Sequence, residues 1–144
     1  MKIVTNCLMS AFVLAGTIAF AKDGVTDPIV KARMELMDAN GANTKFLWAM
    51  VKGQIPFDAA KAAIARTSLI NGAAQIEEAF EKEAYDPVTV IDQDVWTNWA
   101  DFIARAEAME SAAKALDTTS LDGLKASLGQ INDTCASCHV IYKI

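Results

Sequence analysis

The sequence predicts an all-α protein, an antiparallel up-down-up-down four-helix bundle, from three observations. Four segments carry apolar side chains at alternating intervals of three and four residues, which is the 3.5-residue period of helices packed in a bundle. The connections between them are mostly short, which favours antiparallel neighbours. Residues 88–91 form a run of four β-branched side chains. That run has no partner strand, so we expect an extended loop there.

Helix A is predicted to begin at Pro28 and to end near Gly53. Asp27 is a favourable N-cap residue, and proline suits the first helical position because its missing N–H needs no partner there. Gly41 in mid-helix costs ~1 kcal/mol relative to alanine, so we expect it to allow the close approach of a bulky group. The predicted inward seam comprises Val30, Met34, Met37, Gly41, Thr44, Trp48 and Val51.

Helix B is predicted to run from the N-cap Asp58 to about Glu83. Alanine, a strong helix former, is frequent in this segment. The acidic run near its end is interpreted as a solvated face, because such runs seldom act as acid/base pairs. Residues 84–93 form the longest connection of the chain. The predicted inward positions of helix B are Ile64, Leu69, Ala73, Ile76 and Phe80.

Helices C and D complete the predicted bundle. Asp94 is the expected cap of helix C, and residues 117–120 form the short turn before helix D. The seam of helix C comprises Val95, Trp99, Phe102, Ala106, Met109, Ala113 and Leu116. The seam of helix D comprises Leu121, Leu124, Leu128, Ile131, Cys135, Cys138 and Tyr142.

Residues 1–21 are predicted to be a secretory signal peptide, and residues 22–144 the mature helical domain. Lys2 supplies a positive start, residues 3–20 are mostly apolar, and Ala19-Phe20-Ala21 fits a small-x-small cleavage signal. The alternative is a membrane anchor, which is disfavoured by the polar residues in the apolar part and by the cleavage signal. We therefore expect export to the periplasm and no membrane span in the mature chain.

The chain ends with the motif Cys-x-x-Cys-His at residues 135–139. This spacing attaches a c-type haem, because each cysteine sulfur must reach one vinyl group of the same porphyrin and the histidine must offer a nitrogen to the iron. Cys135 and Cys138 fall on the seam of helix D, so we predict one covalently bound haem c inside the bundle. His139 is the expected ligand of its iron.

A zinc half-site and a dithiol redox pair are the two other uses of such a motif. Zinc would need about four ligands. The chain has one histidine, and its third cysteine, Cys7, lies in the predicted leader. A thioredoxin-like pair would follow a strand in a βαβ unit, which the sequence lacks.

The composition also limits which side chains could be the sixth ligand of the iron. His139 is the single histidine, so two imidazoles of one monomer cannot bind the iron. At 1.5 Å per residue, Met50 lies ~33 Å from the start of helix A and Met109 lies ~21 Å along helix C. Met34 and Met37 therefore remain in range of the haem, although a methionine on an apolar seam more often fills the core.

The mature chain resembles the cytochrome c-prime family, the class II c-type cytochromes. The shared features are a signal peptide, four helices and a C-terminal Cys-x-x-Cys-His followed by an aromatic, here Tyr142. Residues 35–41 and 51–58 are similar to the helix-A and A–B turn signature of the low-spin branch, cytochrome c556. Val95-Trp96 with Phe102 resembles the start of its helix C.

This resemblance implies roles for individual residues. Cys135 and Cys138 would form the thioethers and His139 would be the proximal ligand. In members like cytochrome c556, the methionine of the Leu-Met pair on helix A is the distal ligand, which here is Met37. Pentacoordinate members have a non-ligating apolar side chain at that place and bind small gases.

One further position follows from the resemblance. Arg33 falls where family members have an arginine close to the haem and its propionates. Met34, which remains in range of the haem, is a second expected haem contact on helix A. Lys143 is a departure from the family pattern, since an arginine commonly follows the aromatic residue after the haem motif. The electrostatics beside the proximal histidine are therefore expected to differ.

The sequence thus predicts a periplasmic electron carrier with a His/Met-ligated haem, not an enzyme. The alternative is a pentacoordinate protein that binds nitric oxide or carbon monoxide, and a peroxidase-like activity ranks below both because no distal histidine is present. We expect brief encounters with redox partner proteins across small interfaces. The net charge of −5 and the lack of a Lys/Arg cluster argue against nucleic acid. The sequence does not decide between a monomer and a homodimer formed through helices A and B.

Overall fold

A computed structural model describes residues 24–144. The predicted signal peptide at residues 1–21 lies outside the described residues. The described chain forms seven helical segments arranged as four rods, and the helix-rich prediction is confirmed. Rod A is α1 (Pro28–Val51), rod B is α2 (Ala59–Ala74) with α3 (Ile76–Glu81), rod C is α4 (Asp94–Thr97) with α5 (Trp99–Ala115), and rod D is α6 (Leu121–Ser127) with α7 (Gly129–Tyr142).

The rods form the predicted antiparallel bundle. Each rod packs on the next one along the chain: α1 on α2, α2 on α5, and α5 on α7. The bundle closes where α6 packs against α1. One core cluster joins all four rods, with Leu47, Leu69, Ala113, Leu124 and Leu128 fully buried at its centre.

Two predicted caps are confirmed. The Asp27 carboxylate accepts hydrogen bonds from the N–H groups of Ile29 at 2.8 Å and Val30 at 2.9 Å. The Asp58 carboxylate accepts one from the N–H of Lys61 at 3.0 Å. These bonds satisfy N–H groups of a first turn that have no partner within the helix, so both helices begin where the sequence indicates.

The predicted cap of rod C is wrong by one residue. Asp94 is the first residue of α4, and Gln93 is the N-cap, without a side-chain hydrogen bond. The carboxylate of Asp92 accepts the N–H of Asp94 at 3.0 Å instead. The chain therefore turns at Asp92, before the helix begins, because the Asp92 side chain already satisfies the N–H of Asp94.

Rods B, C and D are each interrupted at one residue, whereas the sequence predicts three unbroken helices. Gln75 and Leu128 keep right-handed helical dihedrals at the break, while Asn98 moves to φ −115° and ψ 40°. The apolar period continues across each break, as Ala73 and Ile76 on either side of Gln75 are both buried. A hydrophobic period alone does not show such breaks, because the buried face remains the same.

The seams of rods C and D are confirmed, and four of the five inward positions predicted for rod B are buried, whereas helix α1 is rotated relative to the prediction. The row from Met34 to Trp48 on α1 is half-buried. On α2, Ile64 is 67% exposed, so its predicted inward position is wrong. The buried stripe of α1 comprises Val30, Arg33, Asn40, Leu47 and Met50, and that of α2 comprises Ala62, Ala65, Leu69, Gly72 and Ala73.

Close approach of α1 and α2 occurs at Gly72 and not at Gly41. A Cβ at Gly72 would stand 2.0 Å from Oδ1 of Asn40, so only glycine fits beside this buried amide. At Gly41, apart from its chain neighbours and the backbone of its own helix, no heavy atom of the described chain lies within 4 Å of a Cβ position. The expected bulky neighbour of Gly41 is therefore not another helix in residues 24–144.

The connection between rods B and C pairs with the end of the chain. Ile91 and Lys143 form an isolated antiparallel bridge. The N–H of Asp92 donates to the carbonyl of Tyr142, and the N–H of Ile144 donates to the carbonyl of Val90, both at 3.0 Å. The extended loop is confirmed. Its pairing with the C-terminal residues is a single bridge and not a strand of a sheet, in agreement with the expectation of no partner strand in the described residues.

Asp86 fastens this loop to the start of rod A. One of its oxygens accepts hydrogen bonds from the N–H and hydroxyl of Thr26 at 2.8 and 2.9 Å and from the N–H of Asp27 at 3.0 Å. The other oxygen accepts the N–H of Val88 at 3.1 Å. These donors, first the backbone N–H groups of Asp27 and Thr26, lower the pKa of Asp86 to about 2.

The stability that Asp86 contributes should disappear in acid. Its pKa in the folded chain is about 2, below the usual value of about 3.9. The contribution is therefore complete above about pH 4 and is lost as the pH falls toward about 2. We expect Asp86→Asn to unfold at a lower temperature than the wild type at pH 7, and this difference to shrink between pH 4 and 2. Thermal unfolding at each pH measures it, with Glu107→Gln on an exposed surface as the control. A difference that does not change with pH would contradict the assignment.

Candidate haem site

The Cys-x-x-Cys-His motif lies within α7, on a turn that faces the core. Cys135 and Cys138 are half-buried free thiols, and both pack against the core cluster. Burial raises the pKa of both thiols. The helix continues through the motif to Tyr142. The two sulfurs are therefore presented one turn apart on one face, as attachment to a single porphyrin requires.

His139 follows the second cysteine and is exposed. Desolvation by neighbouring groups, and then the positive charge of Lys143, lower its pKa. Neutral imidazole is the form that binds a metal ion. The two thiols of the motif are thus partly buried, and the imidazole is favoured in its neutral, metal-binding form.

One hydrogen bond between rods A and D shows which residue of α1 lies at the same height along the bundle as His139. The indole N–H of Trp48 donates to Oδ1 of Asn132 at 3.1 Å. Two antiparallel helices rise by the same distance per residue, so equal numbers of residues counted from this bond, backward on α1 and forward on α7, reach the same height. Gly41 is seven residues before Trp48 and His139 is seven residues after Asn132, so these two residues lie at roughly the same height. Met37 is four residues from that level, or about 6 Å.

The four methionines in residues 24–144 differ in both burial and level. Met50 and Met109 are core residues, 1% and 7% exposed. Met34 and Met37 are half-buried on α1. Met34 is seven residues from the level of His139, or about 10 Å, which is farther than Met37. Of the two methionines on the half-buried side of α1, Met37 packs against the core cluster and lies closer than Met34 to the height of His139.

Helices α1 and α7 are not packed tightly on each other, as is required of two helices that hold a cofactor between them. α7 packs chiefly on α5, α1 packs chiefly on α2, and α1 and α7 share few close contacts. Gly41 has no protein atom near its Cβ position, at about the level of His139. Residues 24–144 contain no group of three or more His, Cys, Asp or Glu side chains that could hold a metal ion. The donor set therefore fits a haem and lacks the ligands of the zinc alternative.

Arg33 is the most buried charged side chain described, at 1% exposed. Its Nε donates to the carbonyl of Ala79 at 2.8 Å, Nη1 donates to that of Ala84 at 3.3 Å, and Nη2 donates to that of Lys82. Burial lowers its pKa, while the charge of Asp27 raises it. Arg33 therefore joins rod A to the end of α3 and to the loop that follows.

Two aromatic rings enclose the Arg33 guanidinium. Its central carbon lies 4.9 Å from the ring centroid of Phe80 and 5.3 Å from that of Trp96. The indole N–H of Trp96 donates to the carbonyl of Phe80 at 2.8 Å. All three guanidinium nitrogens thus donate to backbone carbonyls. The predicted contact of Arg33 with the haem stays a prediction.

A polar network joins α5 and α7, and no sequence pattern predicts it. The guanidinium of Arg105 donates to both carboxylate oxygens of Asp101, at 2.7 and 3.3 Å, and to the carbonyl of Ser137 at 2.9 Å. The hydroxyl of Tyr142 donates to Asp101 at 2.6 Å. Burial and this bond raise the pKa of Tyr142 to about 12. The i, i+4 spacing of Asp101 and Arg105 signals an ion pair, but not its contact with the haem motif.

A helical bundle with Cys-x-x-Cys-His on the inner face of its last helix defines a c-type cytochrome of the bundle class. The family model described as Cytochrome C' matches residues 28–143. The chain therefore belongs to the cytochrome c' family, and its cofactor is one covalently bound haem c.

Known relatives come from both branches of this family. A cytochrome c-556 of Agrobacterium tumefaciens is 30% identical over 117 residues, which cover 78% of this chain and 92% of that protein. A cytochrome c' of Pararhodospirillum photometricum is 32% identical over 121 residues, which cover 79% and 94%. The solved nitric oxide complex of a mutant cytochrome c prime from Alcaligenes xylosoxidans has a TM-score of 0.70 and 26% identity, covering 80% and 93%.

None of the helices in residues 24–144 is long and apolar enough to cross a membrane. The glutamates at the end of rod B are exposed, as the interpretation of a solvated face predicts. The relatives are named as cytochromes and not as enzymes.

Proposed function

We propose that this protein carries single electrons in the periplasm, through a haem attached at Cys135 and Cys138 and ligated by His139 and Met37. The observation that carries the proposal is the half-buried Met37, within about 6 Å of the level of His139 on the opposite rod. Histidine and methionine together close both axial sites and raise the reduction potential. The haem supplies the one-electron chemistry when bound.

The chain's own residues would hold and orient this cofactor. The two thiols fix it to α7, His139 orients it from the proximal side, and the core cluster around Cys135 and Cys138 excludes water from one face. Burial by rods A and C lowers the local dielectric, which is one way a protein tunes a potential. An electron carrier would then meet its partner proteins through a small, short-lived interface.

Gas binding is the second candidate function. A relative of the same fold has been solved as a nitric oxide complex, and relatives named cytochrome c' match this chain as well as those named cytochrome c-556. In that case Met37 would line an apolar distal pocket without binding the iron. The two functions thus differ in one bond, between the Met37 sulfur and the iron.

The optical spectrum of the purified holoprotein tests the proposal. Oxidised and reduced samples should show a low-spin haem, with a sulfur-to-iron charge-transfer band in the oxidised form. Carbon monoxide should change the reduced spectrum little, because the sixth site is already filled. A high-spin spectrum that shifts completely with carbon monoxide would reject electron transfer through a six-coordinate haem and support gas binding.

A further inference from the structure

We propose that the opposed charges of Asp101 and Arg105 on α5 set the reduction potential of the haem from the side of the attachment helix, Arg105 raising it and Asp101 lowering it. The inference rests on the proposed function, since it requires a haem joined to Cys138. It assigns a tuning role to two residues that neither attach the cofactor nor bind its iron.

The first support is the contact of Arg105 with the haem motif itself. Its Nη1 donates at 2.9 Å to the carbonyl of Ser137, the residue between Cys135 and Cys138 that directly precedes the second cysteine. The same guanidinium is held by Asp101 through Nε and Nη2. A planar guanidinium bound at three points has a fixed position, so its charge acts on the motif from a constant place.

The second support is the anchoring of Asp101. The hydroxyl of Tyr142 donates to its Oδ2 at 2.6 Å, and Tyr142 is buried beside Phe102 with its ring at 88° to that ring. The carboxylate is thus tied to α7 on both sides of His139, at Ser137 through Arg105 and at Tyr142 directly. The pair on α5 and the attachment turn on α7 behave as one rigid unit.

The third support is the place of the two opposite charges beside the second attachment residue. The Arg105 guanidinium is bonded to the carbonyl of Ser137, the residue before Cys138, and the Asp101 carboxylate is bonded to that guanidinium. Reduction of the haem iron adds one electron and hence one negative charge, which Arg105 stabilises and Asp101 opposes.

The test compares Arg105→Gln, Asp101→Asn and the double variant in the holoprotein, by spectroelectrochemical titration at low ionic strength. Arg105→Gln should lower the potential and Asp101→Asn should raise it. Each shift should change the reduced-to-oxidised ratio at fixed potential about fourfold, or about 35 mV at 59 mV per tenfold for one electron. The double variant should return close to the wild type, and added salt should reduce both shifts.

A purely structural role predicts a different pattern. Both single variants would then lose stability, and their potentials would be unchanged or would move in the same direction, which would overturn the proposal. Arg105→Lys separates charge from position: it should keep the wild-type potential while losing stability, because the ammonium cannot bond Asp101 and Ser137 as a fork. If Arg105→Gln does not retain haem, Asp101→Asn, which keeps an acceptor oxygen, decides by the sign of its shift.

Failure of this inference is distinguishable from failure of the proposed function. Mass spectrometry of the denatured holoprotein shows whether the haem is covalently attached, and the wild-type spectrum shows whether the iron is low-spin. A wild type that passes both checks, with unshifted potentials in both single variants, would reject the role of Asp101 and Arg105 alone.

Discussion

Met37→Ala should convert a low-spin haem into one with an open sixth site. The variant removes the only sulfur proposed to bind the iron on the distal side, and Gly41 and Thr44 on the same face offer no strong ligand. In the proposed site, a methionine bound to the iron would compete with any external ligand. If the bound form is favoured by about 100 to 1, its loss raises the apparent affinity for carbon monoxide about 100-fold. Stopped-flow or equilibrium titration of the reduced protein measures this change.

Two matched variants show which methionine is responsible. Met37→Leu removes the sulfur at nearly constant volume, so it should open the site with little loss of stability. Met34→Leu makes the same change one turn earlier on α1 and should keep the low-spin spectrum. A low-spin spectrum that persists in both Met37 variants would reject Met37 as the ligand, and an open site in Met34→Leu would assign that role to Met34.

Arg33→Met should be the most destabilising of the substitutions considered. It keeps a side chain of similar length but leaves the carbonyls of Ala79, Lys82 and Ala84 without their donor. Each buried polar group that loses its partner costs about 1–3 kcal/mol, so we expect the free energy of unfolding to fall by about 3–5 kcal/mol. The loss of the contacts with the Phe80 and Trp96 rings adds to it. Urea unfolding of the holoprotein measures this free energy.

Arg66→Met is the matched control. Arg66 also donates to backbone carbonyls, those of Ala113 at 3.3 Å and Lys114 at 2.6 Å, but it is half-buried. Water can replace its hydrogen bonds at the end of α5, so we expect a loss of about 1 kcal/mol or less. Equal losses in the two variants would contradict the view that burial makes Arg33 essential to the join between rod A and the loop.

Arg33 supports the candidate haem site through its backbone partners, independently of any contact with the haem. Arg33 lies one turn before Met37 on α1, and its carbonyl partners lie at the end of α3 and in the loop that reaches the C-terminal residues. The start of α1 is therefore held to the part of the chain that borders the haem motif. The position of Met37 depends on this join.

Features that depend on a single helix were determined by the sequence itself. The caps Asp27 and Asp58, the seams of rods C and D and the attachment motif of α7 all follow from local rules. Capping involves neighbouring backbone groups, the hydrophobic period reports one face of one helix, and the spacing of Cys135 and Cys138 reflects the geometry of one porphyrin. The resemblance of residues 35–41 and 51–58 then identified the family.

Features that join different helices were decided only by the tertiary structure. The apolar pattern of α1 predicts a seam through Met34 and Trp48, but the side that faces rod B includes the polar Arg33 and Asn40, which apolar periodicity does not count. The bond of Arg105 to Ser137 and the pairing of Ile91 with the C-terminus join residues far apart in sequence. Such contacts depend on the rotation and level of neighbouring rods, and these are set by how all four rods pack together.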